Sequence, residues 1–298
     1  MALSRRMALT ALAGGALAGC QALSKSAPGP VQSRSLSQVP LGAAIPVDSG
    51  RVEAAGRAAA VPALPSRART VARYAGVEPR AWGMRVPGVT TGLPGGGRLL
   101  ALTFDACGGA GGSGYDAELI DFLRATGVPA TLFLNARWID ANPARFEQLA
   151  GDPLFEIANH GTAHCPLSVS GRSAYGIAGT RDAGGVYDEV EGNASKLTGL
   201  LGHRPRFFRS GTAHYDDVAT RIVADLGHRV AGFTVNGDAG ATLTAPQVRA
   251  QVESAPPGAI VLAHMNHPGR GTADGVAAAV PPLLSSGRRF VRLADALN

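Results

Sequence analysis

From Leu99 onward, short apolar segments alternate with longer amphipathic ones, and this alternation limits the possible folds more than any other feature of the chain. A strand, a helix and a further strand in succession are typical of parallel βα units. The pattern predicts an α/β fold with six or seven such units in one barrel-like domain. We predict strands at 99–104, 130–134, 155–158, 206–208, 229–235, 259–263 and 290–292, and helices at 115–125, 143–150, 186–201, 216–226, 245–254 and 275–285.

Polar side chains stand where the predicted strands end. Any one of them has an even chance of being an ordinary loop residue, but the set as a whole is hard to explain in that way. Because the loops at the C-terminal ends of parallel barrel strands converge, we expect these side chains to form one site. They are Asp105, His160, His164, Arg209, Asp238 and His264.

Two of these residues, His160 and His164, are four positions apart in the segment Asn159-His160-Gly161-Thr162-Ala163-His164. Two neutral imidazoles at this spacing can share one cation. The pair alone is weak support for a metal site, since a structural or solvated pair is equally common. Its position after an apolar strand, together with the acidic end of Thr103-Phe104-Asp105, favours the interpretation as metal ligands.

These residues resemble the motifs of the polysaccharide deacetylases of the NodB-homology type, carbohydrate esterase family four. The resemblance covers about Arg98 to Asn298 and implies a single distorted (β/α) barrel of about seven strands. The second and fifth motifs match well, half of the first matches, and the third and fourth match loosely. In order, the five motifs are Thr103-Phe104-Asp105, His160-Gly161-Thr162-Ala163-His164, Phe208-Arg209, Val235-Asn236-Gly237-Asp238 and Ile260-Val261-Leu262-Ala263-His264.

The resemblance implies hydrolysis of an acetyl group from a polysaccharide. By this resemblance, Asp105 would be the general base and His264 the general acid that protonates the leaving amine. Arg209 would orient the base, and Asp238 would hold and tune His264. Leu262 would help to form the apolar slot for the acetyl methyl group.

The family's divalent metal is held by one aspartate and two histidines, which implies His160 and His164 here. The second aspartate of the family's first motif is Ala106 in this chain, and a methyl group cannot coordinate a metal. Three outcomes stay open. The histidines and waters hold a metal more weakly, Cys107 or Asp116 supplies a ligand, or the site binds sugar without cleaving it. Zinc is the expected metal, with cobalt or manganese as alternatives.

Three cysteines occur in the chain. If Cys20 is lipidated, Cys107 and Cys165 remain, and both lie in loops that the fold would bring together. The N-terminal sequence predicts export from the cytoplasm, and an oxidising compartment outside it favours a disulfide between Cys107 and Cys165. Free thiols or a cysteine ligand are the alternatives.

The N-terminus predicts export. Ser4-Arg5-Arg6-Met7 and the apolar run after it are typical of a twin-arginine signal, and Leu17-Ala18-Gly19-Cys20 resembles a lipobox. An ordinary cleaved signal is the alternative. We therefore expect a lipid-anchored protein of the cell envelope. It would have a signal at 1–20, an Ala/Pro/Ser-rich tether at 21–97 that is disordered except near Tyr74 to Val86, and a catalytic domain at 98–298.

The net charge of +6 arises from scattered arginines. Without a basic run interleaved with aromatic residues, nucleic-acid binding has little support. We predict a monomer that acts on an N-acetylated cell-wall or extracellular glycan. An acetyl-ester or small-amide hydrolase of the same fold, and a non-catalytic glycan-binding module, are the competing hypotheses.

Overall fold

Strand β3, Leu99–Ala106, lies at the centre of the sheet in the computed structural model, which describes residues 63–297. Seven of its eight residues are buried, as expected for a strand of a parallel sheet that is covered on both faces. It pairs in parallel with β4, Ala130–Leu134, on one side and with β10, Ile260–His264, on the other. At its start it also pairs with β11, Arg289–Phe290.

The other strands between residues 63 and 297 are β1 (Trp82–Gly83), β2 (Val89–Thr90), β5 (Phe155–Asn159), β6 (Phe207–Phe208), β7 (Tyr215–Asp216), β8 (Arg229–Ala231) and β9 (Val235–Asn236). In this part of the chain the main sheet has nine strands, with the order β2-β8-β6-β5-β4-β3-β10-β9 and β11 beside β3. Every pairing of these strands is parallel. A separate antiparallel pair joins β1 to β7.

The predicted strand 229–235 is two strands, and the reason is closure of the sheet. Residues 229–231 pair near one end of the strand order, whereas 235–236 pair at the other end. Ala231 and Val235 are four residues apart and can be separated by at most about 14 Å, so both ends of the sheet must lie close together. A hydrogen bond joins the two ends of the sheet. Thr234, just before β9, donates from Oγ1 to the carbonyl of Thr91, just after β2, at 2.6 Å. The predicted α/β fold with a curled parallel sheet is confirmed, with more strands than the seven expected.

The helices pack on the outer face of this sheet. The predicted helices are present within a few residues, and the short α1, α3 and α9 were not predicted. The helices are α1 (Arg67–Tyr74), α2 (Ala117–Thr126), α3 (Ala136–Ala141), α4 (Pro143–Ala150), α5 (Ala183–Leu201), α6 (Asp217–Asp225), α7 (Ala245–Glu253), α8 (Gly271–Ser285) and α9 (Leu293–Ala296). None of the helices between residues 63 and 297 is long and apolar enough to cross a bilayer.

The alternation of side chains along β3 decides which residues reach the site. Leu100, Leu102, Phe104 and Ala106 belong to the apolar layer between the sheet and the helices. The intervening residues point to the other face, where Ala101 packs with inward residues of the neighbouring strands. Asp105 is therefore directed into the barrel, and its neighbour is directed away from it.

The folded domain begins before the predicted boundary at residue 98. Helix α1 buries Thr70 and Tyr74, and the Tyr74 hydroxyl donates to Asp225 at 2.8 Å. Strand β2 belongs to the main sheet through its pairing with β8. The domain thus includes at least residues 67–97, which we had assigned to the tether. The predicted signal, the lipobox and the tether up to residue 62 lie outside the described residues.

A buried amide pair holds the end of β5 from the outer face. Asn193 of α5 donates from Nδ2 to the Leu134 carbonyl at 2.8 Å and to Asn159 Oδ1 at 2.9 Å. Asn159 in turn donates to the Val190 carbonyl and accepts from the Gly161 amide, each at 2.9 Å. These bonds fix the backbone on both sides of His160.

Replacing Asn193 with alanine should lower the free energy of unfolding by about 1–3 kcal/mol, because buried acceptors lose their donor. Urea unfolding would measure the loss. Ser195→Ala, on the exposed face of the same helix, is the matched control and should change stability by less than about 0.5 kcal/mol. Equal midpoints for the two variants would contradict this role of Asn193.

His228 makes the domain sensitive to acid. Burial, and then the positive charge of Arg204, lower the pKa of His228 to about 4. The unfolded chain would take up this proton from about pH 6.5 downward, so stability is full above that pH and falls until about pH 4. The loss over this range is about 3 kcal/mol. Urea unfolding of His228→Gln should show a correspondingly smaller loss between pH 7 and pH 4, and an unchanged loss would contradict it.

Candidate active site

The predicted polar residues meet at one edge of the curled sheet. Asp105 and His264 are directly opposite each other in the register of β3 and β10. Asn159 and Phe208 are paired in the same way, which brings the residues that follow them, His160 and Arg209, to the same edge. The convergence follows from parallel pairing, because all strands then end on the same side.

Arg209 is fully buried and fixes Asp105. Its Nη1 donates to Asp105 Oδ1 at 2.7 Å and to Thr103 Oγ1 at 3.0 Å. Its Nε and Nη2 donate to the carbonyls of Ala231 and Gly232, both at 3.0 Å. Burial alone would raise the pKa of Asp105, but the charges of Arg209 and the nearby histidines hold it below its usual value. The base candidate is thus an oriented, ionised carboxylate.

His264 and Asp238 form a second pair. His264 Nδ1 lies 2.8 Å from Asp238 Oδ1, and the other carboxylate oxygen accepts from the His264 amide at 2.7 Å. The Thr272 hydroxyl donates to that same oxygen at 2.9 Å. Burial opposes protonation, yet the hydrogen bond to Asp238 raises the pKa of His264 well above its usual value. The proton on Nδ1 faces Asp238, which leaves Nε2 available to act as an acid toward the cavity.

The two predicted metal ligands, His160 and His164, lie close to a third potential ligand, Cys107. His160 Nδ1 donates to the Arg209 carbonyl at 3.0 Å, so its Nε2 carries the free lone pair. That Nε2 lies 3.6 Å from Asp105 Oδ2 and 3.7 Å from Cys107 Sγ. His164 Nε2 is buried without a hydrogen-bond partner. This nitrogen is therefore available to bind a metal ion.

The loop holding His164 is under local strain. His164 has a φ of 66°, a left-handed conformation that a histidine rarely adopts. Gly211 packs against it so closely that an added methyl group would lie 2.4 Å from His164 Cγ. The left-handed backbone of His164 and the close packing of Gly211 therefore fix the position of the His164 ring.

The side chains of the site fit a metal ion, with a cysteine thiol in place of a carboxylate among the ligand atoms. Among the described residues, the side chains whose ligand atoms cluster within 4.8 Å of one another are Cys107, His160 and His164. Asp116, the other candidate for the missing ligand, instead caps helix α2 by accepting from the Leu119 amide at 3.2 Å. Ala106 contributes its methyl group to the apolar layer under the helices.

The predicted disulfide is not formed, since Cys107 and Cys165 are both free thiols. Cys107 Sγ lies 3.7 Å from His160 Nε2, and the neighbouring imidazoles hold the pKa of its thiol well below the usual value despite burial. The backbone of Cys165 is held elsewhere, by an amide that donates to Glu189 Oε1 at 3.1 Å. Burial, and then the negative charge of Glu189, raise the pKa of the Cys165 thiol.

Two supporting residues were missed from the sequence. Glu189, buried in α5, accepts from the amides of Ala163 and Cys165 and so holds the histidine loop from below. Asn135, also buried, donates to the carbonyls of His160 and Gly161 at 2.9 and 2.8 Å. A glutamate on the buried face of the α5 pattern was the signal that could have identified the first.

A cavity of about 410 Å³ opens beside Asp105 and His264. Leu262, predicted to form the acetyl slot, lines it and is 7% exposed. The outer wall carries three exposed hydrophobic residues, Met84, Tyr175 and Ile177. The cavity therefore joins charged groups at its base to an apolar wall at its mouth.

Comparison with known proteins agrees with this arrangement. Residues 93–231 match the family model described as polysaccharide deacetylase. No curated protein matches the chain significantly.

Solved structures share the fold at low identity. A carbohydrate esterase family four pseudoenzyme from Bacillus anthracis superposes with a TM-score of 0.59, 20% identity and coverage of 72% of this chain and 70% of that one. For a peptidoglycan N-acetylglucosamine deacetylase the values are 0.58, 21%, 70% and 92%. An acetyl xylan esterase from Clostridium thermocellum, in complex with a cobalt ion, gives 0.54, 21%, 66% and 89%. Residues 93–231 thus match the polysaccharide deacetylase family model, and the chain shares the fold of solved carbohydrate esterase family four proteins.

Proposed function

We propose that this protein is a metal-dependent hydrolase that removes acetyl groups from an N-acetylated polysaccharide. The observation that carries the proposal is the pair of preset dyads at one cavity, Arg209 with Asp105 and Asp238 with His264. One dyad keeps a carboxylate ionised and the other keeps an imidazole protonated. Amide hydrolysis needs both a base and an acid, because the attacking water loses a proton and the departing amine gains one.

The roles follow from the orientation of each group. Asp105 Oδ2 is the carboxylate oxygen nearer to His160, and it would take the proton of the attacking water. His264 would return a proton from Nε2 to the sugar nitrogen while Asp238 stabilises the positive ring. Arg209 and Asp238 are positioning residues, and Leu262 would contact the acetyl methyl group. A divalent cation held by His160 and His164, when bound, would polarise the acetyl carbonyl and lower the pKa of water.

The wall at the cavity mouth favours a sugar chain as substrate. Tyr175 is 76% exposed and sits in a tight turn closed by the Ala174–Ile177 bridge. Its φ of 53° is unusual for a bulky residue, and its ring meets His214 edge-on at 5.2 Å. A strained turn that presents an aromatic ring beside the cavity suits stacking on a pyranose face.

Two alternatives keep specific support. The loss of the family carboxylate at Ala106 favours a glycan-binding module without catalysis. Binding to N-acetylglucosamine oligomers without acetate release, even with added zinc, cobalt or manganese, would establish that function. An ester hydrolase of the same fold would instead release acetate from acetylated xylan and leave the N-acetylated oligomers intact.

The cellular site of action is also part of the proposal. The twin-arginine motif and the lipobox-like segment ending at Cys20 support export and lipid anchoring, which would place the domain at the cell envelope. An acetylated cell-wall glycan would be accessible there. The protein would act as a monomer.

Asp105→Asn and His264→Ala should each lower kcat for acetate release by roughly 10²- to 10⁴-fold, the usual contribution of general acid–base catalysis. Enzymatic detection of acetate from N-acetylglucosamine oligomers would measure this. His203→Ala, on an exposed loop, is the matched control. Because Asp105→Asn leaves Arg209 buried without its partner, His264→Ala carries the test if that variant unfolds. Wild-type activity in folded His264→Ala would refute the assignment.

Tyr175→Ala should raise KM for the oligomers by about two- to tenfold, the range expected for losing one aromatic contact. The kcat value should change little, since the ring is proposed to bind the sugar chain and not to take part in proton transfer. Tyr175→Phe keeps the ring and should behave as wild type. Equal KM values for the alanine and phenylalanine variants would show that the ring does not bind substrate.

A further inference from the structure

We propose that Cys107 replaces the missing carboxylate and that the chain holds zinc through Cys107, His160 and His164. The inference rests on the proposed function for its catalytic meaning, but the site can be tested by metal binding alone. Zinc accepts thiolate and imidazole ligands together, and catalytic zinc sites keep three protein ligands and one open position.

The spacing of the donors fits one ion. With ordinary zinc–sulfur and zinc–nitrogen bond lengths, two ligands of a tetrahedral zinc lie about 3.6 Å apart. Cys107 Sγ and His160 Nε2 are 3.7 Å apart. All three donor atoms lie within 4.8 Å of one another. Little side-chain movement is needed to bring them around a cation.

The orphaned donor supplies an independent reason. His164 Nε2 is buried and has no partner within the described residues. An unpaired buried nitrogen destabilises the folded chain, so a ligand that satisfies it restores a favourable interaction. His160 is oriented for the same purpose, because its Nδ1 proton is committed to the Arg209 carbonyl.

The segment after Cys107 is held rigidly. Gly108 has a φ of 67°, and a side chain there would lie 2.5 Å from the Trp138 backbone nitrogen. Its amide donates to the Gly112 carbonyl at 2.9 Å, which closes a small loop. Arg137 holds the Cys107 carbonyl from the other side at 3.3 Å. These contacts fix the backbone that carries the Cys107 thiol.

The substitution is consistent with the direction of the side chains on β3. Ala106 lies in the apolar layer under the helices, so its position gives the site nothing. The next residue leaves the strand and faces the imidazoles. A thiolate at this place would favour zinc or cobalt over manganese, because manganese prefers oxygen ligands.

The test is titration of metal-free full-length protein with cobalt(II), followed by absorption spectroscopy. Wild type and the matched control Cys165→Ser should bind one equivalent and show a thiolate-to-cobalt charge-transfer band in the near ultraviolet. Cys107→Ser should lose the band and bind zinc at least about 100-fold more weakly. A lost ligand costs more than a lost outer-shell partner, which costs roughly 10- to 100-fold. Circular dichroism would verify folding.

Cys107→Asp provides a second variant should the serine variant fail to fold. It should bind cobalt through oxygen without the charge-transfer band. A wild-type cobalt complex without the band, or equal zinc affinity for wild type and Cys107→Ser, would overturn the inference. Acetate release separates the two proposals. Thiolate coordination without acetate release would refute the function alone, and acetate release without thiolate coordination would refute the ligand alone.

Discussion

The buried ion pair between Arg209 and Asp105 is the interaction on which the site depends. The guanidinium crosses the interior of the curled sheet, donates to carbonyls of Ala231 and Gly232, and lies over the Phe133 ring at 4.1 Å. The backbone carbonyl of Arg209 accepts a hydrogen bond from His160 Nδ1 at 3.0 Å. One residue therefore orients both the proposed base, Asp105, and a proposed metal ligand, His160. A buried pair of this kind costs desolvation, and removing one partner typically costs about 3–5 kcal/mol.

Around that pair, the apolar core and the polar residues of the candidate site lie in different parts of the fold. The apolar layer between the sheet and the helices carries most of the large buried side chains, whereas the strand ends carry the dyads. The histidine loop has its own support from Asn135, Glu189 and Asn193, three polar residues with little exposure. Their hydrogen bonds offset the strain at His164. The site is thus preorganised by residues that would never contact substrate.

Much of this could be predicted from the sequence, and the parts that could not have identifiable physical causes. The strand-end residues were predicted because parallel strands place their C-terminal ends together, which local periodicity reveals. The split of 229–235 was missed since it depends on closure of the sheet. The disulfide was wrongly predicted because convergence of two loops says nothing about the direction of Cys107 and Cys165. The domain boundary was placed too late, because α1 and β2 are stabilised by distant partners such as Asp225 rather than by their own periodicity.

We propose that the strand-end cluster hydrolyses acetyl groups with the help of one metal ion. The most direct measurement is acetate release from N-acetylglucosamine oligomers by metal-free protein during titration with zinc. Acetate release should be absent at the start and should rise linearly until one equivalent of zinc per chain has been added. Full activity in the metal-free protein, or none at any zinc concentration, would contradict it.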